Sequence, residues 1–408
     1  MKKWINTGLL SASNLALALA QWVVVILIAR TQDLETVGYY GLALAICSPV
    51  IIALSAEARS RIASGFSPDS DKQLLSIRLF LYLTLLPMAS LAIYALIPDN
   101  GNSLIVIAVM AYKAIESFFD FPYGRMLREN SYRRIVQSQF CRAVFLIGSA
   151  VMGLYWANSL ALVMFLATGL SAILLVSESW QNLSHVLEKL RYRSFLKTNK
   201  ASIGNYLSLG KYAAFFSLLG SLPRLALGIS GSLEAVGIFT ICYQFVAAGS
   251  TITSSINQIF LSRLNRREPG TNDANHDLAS LHKLLIETLA VSVVGVIAVF
   301  IAGPFIVESI FSAEFNNVRA LLTSIMLGGV FAYLAVAVVT MFIGYGHFSS
   351  INRSVIMACA TFLLAYITLC TLGVDTLTSA IISFVGSRVI HLATLLKIIR
   401  PSLFQAKQ

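Results

Sequence analysis

Long apolar segments recur along the whole chain and restrict what it can fold into. Twelve of them are about twenty residues long, enough for a helix to cross a hydrocarbon layer of ~30 Å. Hydrophobic residues make up 57% of the 408 residues and charged residues only 12%, roughly half the share found in soluble proteins. The apolar residues are continuous and do not alternate with a period of two, as barrel strands do. The sequence therefore predicts an all-α polytopic membrane protein.

Short polar connections separate the twelve predicted transmembrane helices. The helices cover residues 6–29, 36–60, 74–97, 103–124, 134–154, 158–180, 207–229, 235–261, 280–303, 318–343, 351–372 and 376–399. The first apolar run resembles a signal peptide because Lys2 and Lys3 precede it. It continues unbroken to Ala29, however, which is too long for the apolar region of a signal peptide. We therefore interpret it as the first membrane helix.

The basic residues are distributed unevenly between the two sides of this predicted topology. Of the thirty Lys and Arg residues, twenty-three lie on one side, five lie within helices, and Arg30 and Arg319 lie on the opposite side. Because cytoplasmic loops carry the excess of Lys and Arg, the richer side is predicted to be cytoplasmic, with both termini there. The same bias explains the net charge of +11 without a nucleic acid partner.

A polar turn that follows the first helix recurs after the seventh. Residues 33–38 read Asp-Leu-Glu-Thr-Val-Gly, and residues 232–237 read Ser-Leu-Glu-Ala-Val-Gly. Asp33 and Ser232 are both suited to cap the N-terminus of the next helix. The repeat predicts a duplicated chain, and because each half has an even number of helices, both halves have the same orientation.

The duplication predicts two parallel six-helix lobes around a central cavity. Residues 1–180 are assigned to the N-terminal lobe and residues 207–408 to the C-terminal lobe. The segment 181–206 between them is predicted to be a basic cytoplasmic linker. Two interpretations of its central part, Leu183 to Leu196, stay open: an interfacial helix against anionic headgroups, or a solvated linker.

Charged side chains inside the predicted helices mark candidate functional sites, because such groups are costly in a membrane. The basic ones are Lys113, Arg142, Lys211, Arg224 and Arg388. They outnumber the acidic residues at depth, which are Glu116, Asp120 and Glu178. A cavity with excess positive charge suits an anionic substrate such as a phosphate or an acidic sugar, and arginine suits bidentate phosphate binding.

Several of these residues also have structural interpretations. Arg30 fits either a substrate site or an exposed helix end, and Arg224, next to Pro223, fits either a moving gate or a buried arginine bonded at a helix kink. Lys113, Glu116 and Asp120 are spaced to share one helix face.

For that face, one interpretation is a proton or sodium site at the carboxylates. The other is an ion pair between Lys113 and Glu116, with Asp120 bound to Arg125 or Arg142.

Polar residues in other helices also have two interpretations. Arg388 is one turn from His391, and it could instead form a neutralising contact with Glu178. Asn14 and Gln21 are predicted to line the cavity or to form hydrogen bonds between helices.

Signals for enzyme chemistry are absent from the sequence. It has no nucleophile elbow, phosphate-binding loop or zinc-protease motif, and the five cysteines lie inside apolar runs without metal-binding spacing. We therefore expect neither an enzyme nor a metal site nor a cofactor.

The chain resembles the multidrug/oligosaccharidyl-lipid/polysaccharide (MOP) exporter superfamily, and within it the Wzx-type flippases of O-antigen and other polysaccharides. The resemblance lies in Ile28-Ala29-Arg30 at the end of the first helix, in Val37-Gly38-Tyr39-Tyr40 and in the basic end of the second helix, Glu57-Ala-Arg59-Ser-Arg61. The arrangement of six plus six helices is also similar. The turn Thr31 to Thr36 departs from the Leu-Gly-Pro-Glu type that is usual in the family.

This resemblance implies alternating-access transport of an undecaprenyl-pyrophosphate-linked oligosaccharide across a bacterial inner membrane, for lipopolysaccharide or O-antigen-type biosynthesis. The implied substrate-binding residues are Arg30, Lys113, Arg142, Arg224 and Arg388. The energy source would be an inward flux of H⁺ or Na⁺ through Glu116 and Asp120. Membrane lipids and other polysaccharide assembly proteins are the further partners that it implies.

Two rival functions remain. A drug or organic-cation antiporter of the same superfamily should carry a carboxylate in the first or seventh helix, and neither helix contains one. A membrane polysaccharide polymerase or ligase should carry a large outer loop, whereas the longest predicted one spans only about residues 303–318. Twelve helices rather than fourteen also argue against the lipid II flippase branch.

Overall fold

The computed structural model is helical throughout the part of the chain that it describes. That part comprises residues 2–55, 58–59, 62, 71–96, 100–129, 131–189, 192–264, 274–311, 318–344 and 348–405. The helices are α1 (Lys2–Thr31), α2 (Leu34–Ser55), α3 (Asp71–Leu96), α4 (Asn100–Phe118), α5 (Asp120–Arg128), α6 (Tyr132–Val151), α7 (Leu160–Lys189), α8 (Tyr192–Ile229), α9 (Leu233–Leu264), α10 (Ala274–Phe311), α11 (Val318–Gly344), α12 (Phe348–Thr371) and α13 (Thr376–Gln405).

Each of the twelve predicted helices has a counterpart in this series. The short helix α5 covers the end of the fourth predicted helix and the residues that follow it. Among the described residues, ten helices are long and apolar enough to cross a membrane. In α3 the apolar part is shorter and covers Leu75–Leu91. The predicted all-α polytopic membrane fold class is confirmed.

The fourth predicted helix is interrupted, which corrects its prediction as one continuous segment. Helix α4 ends at Phe118, and α5 begins at Asp120. The ring nitrogen of Pro122 has no hydrogen to donate to the carbonyl of Phe118, so that hydrogen bond is missing at the interruption. The guanidinium of Arg78 donates to the neighbouring carbonyl of Ser117 at 2.6 Å. The interruption separates the candidate residues of this segment into two groups.

The repeated polar turns cap helices as predicted. The Asp33 carboxylate accepts hydrogen bonds from the backbone N–H and the hydroxyl of Thr36, both at 2.7 Å. In the second turn, the Ser232 hydroxyl oxygen accepts the N–H of Ala235 at 3.4 Å. Both contacts satisfy donors that the first turn of a helix leaves unpaired.

Two further turns contain the same kind of N-cap. Ser159 accepts the N–H of Leu162 at 3.3 Å before the body of α7, and Asp375 accepts the N–H of Thr378 at 3.1 Å in α13. Gly373, two residues before Asp375, has a φ of 81°, a conformation that glycine adopts without steric cost. The turns before the second and sixth helices of each half are therefore all capped.

The chain divides into two compact units, Met1–Ser221 and Leu222–Gln408. In the first unit, α4 packs between α2 and α7, and α1 packs along α6. In the second unit, α11 packs between α9 and α13. The fourth helix of each half thus lies between the second and sixth helices of that half, as expected for a duplicated arrangement.

The boundary between these units lies inside α8, one residue before Pro223. The predicted linker 181–206 is largely helical, since α7 continues to Lys189 and α8 begins at Tyr192. In the first unit, Gly210 of α8 lies so close to the backbone carbonyl of Ala53 in α2 that a side chain would overlap it. The assignment of six helices to each lobe stays a prediction.

Candidate functional site

A buried polar network in the first unit contains three of the predicted site residues. The Glu116 carboxylate of α4 accepts the ammonium of Lys113 at 2.6 Å on Oε2. Its Oε1 accepts the guanidinium of Arg142 from α6 at 3.0 Å and the amide of Gln21 from α1 at 3.1 Å. The pair between Lys113 and Glu116 that the spacing predicts is therefore present.

The members of this network differ in how far they are covered. The side chain of Arg142 is 2% exposed, whereas those of Lys113 and Glu116 are 20% and 19% exposed. Arg142 also lies over the ring of Phe119, with 4.4 Å between its guanidinium carbon and the ring centre. Arg142 is thus a buried anchor, while the pair of Lys113 and Glu116 keeps some contact with its surroundings.

The polar residues of α1 form hydrogen bonds between helices, one of the two predicted interpretations. Gln139 of α6 accepts the hydroxyl of Ser13 at 2.5 Å and donates its amide to Asn14 at 2.7 Å. Gln21 bonds to Glu116 of α4 as described above. Gln139 was not among the predicted site residues, although a glutamine inside an apolar run is a usable signal for such a contact.

Asp120 belongs to a different cluster, which corrects its predicted pairing with Arg125 or Arg142. Its carboxylate lies 3.3 Å from the Nε atom of Arg59 and 3.6 Å from the guanidinium of Arg78. Arg78 is fully buried and lies over the rings of Tyr82 and Phe118 at 5.7 and 5.2 Å. Arg78, one of the twenty-three basic residues counted on the cytoplasmic side, thus lies inside α3 and is buried there.

Glu178 of α7 is half-buried and interacts electrostatically with Arg142 of α6. One of its carboxylate oxygens, Oε2, is buried without a hydrogen-bond partner. The Ser138 hydroxyl of α6 is 2.7 Å from the hydroxyl of Tyr123.

The second unit holds Arg224 and Arg388 on a cluster of aromatic rings. The guanidinium of Arg224 lies over the ring of Tyr243 at 5.1 Å, and that of Arg388 lies over the ring of Phe384 at 5.3 Å. The two rings meet edge to face, with their centres 6.1 Å apart. A cation over an aromatic face is attracted by the ring quadrupole.

Glycines allow these aromatic rings to pack closely. A methyl group on Gly328 of α11 would overlap the ring of Phe384. A methyl group on Gly249 would overlap the hydroxyl of Tyr333, which donates to the carbonyl of Val246 at 2.6 Å. Tyr243 and these glycines were not predictable from the sequence, because their importance depends on neighbours from other helices.

The charges of the second unit are distributed differently from those of the first. Arg224 and Arg388 are 7% and 2% exposed. The acidic side chains that the structure describes in this unit are all exposed, namely Glu234, Glu287, Glu308 and Asp375. In the first unit, by contrast, the buried arginines Arg78 and Arg142 each contact a carboxylate.

Arg30 lies apart from these groups in the last turn of α1 and is exposed. Its position at a helix end agrees with the prediction, and its role in substrate binding stays a prediction. Among the described residues, no cluster of His, Cys, Asp and Glu has the composition of a metal site.

A polysaccharide biosynthesis protein is similar in sequence to most of this chain. No family model matches the chain. The capsular polysaccharide biosynthesis protein CapF of Staphylococcus aureus is 22% identical over 351 residues, which cover 84% of this chain and 86% of CapF.

Solved structures of transporters share the fold over nearly the whole chain. The eukaryotic MATE transporter AtDTX14 has a TM-score of 0.71 at 14% identity, covering 98% of this chain and 95% of its own. The lipid II flippase MurJ has a TM-score of 0.71 at 10% identity, covering 96% and 87%. A MOP superfamily transporter from Pyrococcus furiosus has a TM-score of 0.67 at 12% identity, covering 99% and 96%. This multi-pass membrane protein therefore has the fold of the transporters of the MOP superfamily.

Proposed function

We propose that the protein is a flippase that moves a polyprenyl-pyrophosphate-linked oligosaccharide across the bacterial inner membrane for surface polysaccharide biosynthesis. Both termini would lie in the cytoplasm, and the substrate site would open first to one side and then to the other. The similarity to CapF along most of both chains supports a role in polysaccharide biosynthesis. The fold supports transport.

The charge of the second unit is the observation that carries the substrate class. Arg224 and Arg388 are buried in a unit whose described acidic side chains are all exposed. Attraction between opposite charges is strong where water is excluded. This environment favours a phosphate or an acidic sugar and disfavours an organic cation.

Arginine is suited to the pyrophosphate of such a substrate. Its planar guanidinium presents two parallel donors to phosphate oxygens, and the guanidinium groups of Arg224 and Arg388 lie over the rings of Tyr243 and Phe384. Lys113, partly exposed beside Glu116, and Arg30 at the end of α1 are further candidates for contact with the substrate. Arg142 would act mainly by holding Glu116.

Complementation of a strain that lacks its own repeat-unit flippase tests this function. The wild-type protein should restore surface polysaccharide, and Arg224→Ala and Lys113→Ala should each abolish it while the protein still reaches the membrane. Arg134→Ala, a change of an exposed arginine in the first turn of α6 that is not among the candidate residues, is the control and should restore polysaccharide fully. Full polysaccharide from both Arg224→Ala and Lys113→Ala would contradict the assignment.

A transport assay in liposomes distinguishes the flippase from the rival antiporter. Liposomes containing the purified protein should flip a fluorescent oligosaccharide linked to polyprenyl pyrophosphate and should not accumulate a cationic dye. Dye transport driven by an ion gradient, without movement of the labelled lipid, would favour the antiporter.

A further inference from the structure

Arginine side chains gather at one end of the first unit, where two of its membrane spans reach the surface. Arg59 lies shortly after the apolar span Leu34–Ser55, and the span Tyr132–Trp156 begins at the same end with the exposed Arg133 and Arg134. This end is predicted to be cytoplasmic, and anionic lipids give the cytoplasmic leaflet a negative surface potential. Arg59 is therefore close to the layer of negatively charged lipid head groups.

Contacts from α5 fix the position of Arg59. The Nε atom of Arg59 lies 3.3 Å from a carboxylate oxygen of Asp120, and its guanidinium carbon lies 5.0 Å from the ring centre of Tyr123. The backbone is held as well, because a methyl group on Gly124 of α5 would come within 3.1 Å of the Arg59 carbonyl oxygen. The carboxylate and the ring together define one edge and the plane of the guanidinium group.

Asp120 is shared between Arg59 and a second arginine. Its other carboxylate oxygen lies 3.6 Å from the guanidinium of Arg78, which is fully buried. Arg78 also donates to the carbonyl of Ser117 at 2.6 Å, a contact inside the unit. Two guanidinium groups therefore surround one carboxylate, which leaves this cluster with an excess of positive charge.

The outer edge of Arg59 is the part of this cluster that a ligand can reach. Its side chain is 29% exposed, whereas that of Arg78 is 0% exposed. In the part of the chain that the structure describes, the terminal nitrogens Nη1 and Nη2 of Arg59 form no hydrogen bond. These nitrogens present parallel N–H donors, a geometry that matches two oxygens of one phosphate group.

We propose that Arg59 binds the phosphate group of an anionic lipid in the leaflet that borders this end of the first unit. The terminal nitrogens donate to two phosphate oxygens, while Asp120 and Tyr123 keep the guanidinium plane in place. Two lipids share this chemistry: a phospholipid such as phosphatidylglycerol, and a polyprenyl pyrophosphate. The site goes beyond the proposed flippase function, and only its occupation by polyprenyl pyrophosphate rests on that function.

Native mass spectrometry of the purified full-length protein measures this binding for each lipid. Phosphatidylglycerol, polyprenyl pyrophosphate and inorganic phosphate are titrated separately in detergent, with zwitterionic phosphatidylcholine as the reference. Wild type should bind at least one of the two anionic lipids in preference to phosphatidylcholine. Arg59→Gln should weaken that binding about tenfold, because a hydrogen-bonded contact between charged groups is lost.

Two further variants separate a built site from general surface charge. Arg134→Gln removes the same charge from the same end of the unit, at a side chain that is exposed, and should bind as wild type does. Arg59→Lys keeps the charge without the planar pair of donors and should bind nearly as weakly as Arg59→Gln. Equal weakening in Arg134→Gln, or full binding by either Arg59 variant, would overturn the proposal.

Cross-linking of wild type gives a second measurement that needs no variant to fold. Analogues of phosphatidylglycerol and polyprenyl pyrophosphate that carry a photoreactive group next to the phosphate should label α5 or the residues beside Arg59. Labelling confined to other parts of the chain would contradict the site.

The ligand whose binding depends on Arg59 identifies the lipid. Dependence for phosphatidylglycerol alone assigns a bilayer lipid, and dependence for polyprenyl pyrophosphate assigns the carrier of the proposed substrate. Inorganic phosphate that binds as tightly as the lipids would overturn a lipid site. Arg59-dependent lipid binding by a protein that flips no labelled oligosaccharide in liposomes would refute the proposed function alone. Flipping without Arg59-dependent lipid binding would refute this inference alone.

Discussion

Arg142 links three helices of the first unit through a single guanidinium group. It bonds to Glu116 of α4 at 3.0 Å, acts on Glu178 of α7 and lies over Phe119 between α4 and α5. Its side chain is 2% exposed, so these contacts are shielded from water. At the scale of the residue, these contacts indicate that Arg142 holds the carboxylate of Glu116 and the ring of Phe119 in place.

Replacement of Arg142 by Gln should destabilise the protein strongly. Removing one partner of a buried ion pair leaves the other charge uncompensated, so we expect a loss of about 3 kcal/mol in the free energy of unfolding. Thermal unfolding in detergent measures this change. Lys113→Gln is the control, because Lys113 is partly exposed and its removal leaves Glu116 bonded to Arg142 and Gln21. Equal losses in the two variants would contradict the role of Arg142 as an anchor.

A double substitution tests whether this effect passes through Glu116. If the cost of Arg142→Gln comes from the unpaired carboxylate, Glu116→Gln in the same protein should recover a large part of it. Additive losses in the free energy of unfolding would show that packing of Arg142 on Phe119 dominates instead.

At the scale of the helix, the capped turns that connect the helices matter for stability. The two hydrogen bonds from Thr36 hold the pKa of Asp33 below its ordinary value of 3.8. A lowered pKa means that Asp33 contributes stability above its ordinary pKa and loses that contribution as the pH falls through the lowered value.

Asp33→Ala should therefore cost about 1 kcal/mol at neutral pH and much less under strongly acidic conditions. Ser232→Ala, which removes the equivalent cap before α9, should cost a similar amount at both pH values because serine does not titrate in this range. Unfolding curves of the two variants and wild type provide the comparison. A pH-dependent difference for Ser232→Ala as large as that for Asp33→Ala would argue against the carboxylate as the cause.

The close packing of α11 against α13 is a second feature of the helices that matters for stability. Gly328→Ala places a methyl group into the ring of Phe384, and overpacking of this kind typically costs about 1–3 kcal/mol. Gly386→Ala on α13 is the matched control, because nothing lies within 4 Å of the position where its methyl group would be. That control should be neutral or stabilising, since alanine favours a helix. Surface polysaccharide should also fall in Gly328→Ala, because a shift of the Phe384 ring would displace the guanidinium of Arg388 that lies over it.

At the scale of the whole molecule, the orientation in the membrane stays a prediction with a direct test. Reporter fusions that are active only outside the cytoplasm should be active after Asn158 and after Gly373, and inactive after Glu129. The charge bias of the loops is the physical reason, since basic segments are retained on the cytoplasmic side. Activity after Glu129 would invert the proposed topology.

The sequence by itself determined the helical membrane fold and much of its local detail. Apolar segments of sufficient length can satisfy their backbone groups in lipid only as helices, so their number and approximate bounds follow from composition. The caps at Asp33 and Ser232 and the pair of Lys113 with Glu116 were also predictable, because each involves residues three positions apart.

The tertiary structure alone decided which charges meet between helices. Asp120 contacts Arg59, which follows α2, and Arg78 of α3, both far from it in sequence. Arg142 reaches Glu116 because α4 and α6 both pack against α7, and neither the spacing nor the composition of one helix encodes that arrangement. Spacing fixes contacts along a helix, whereas the rotation and packing of neighbouring helices fix the contacts across it.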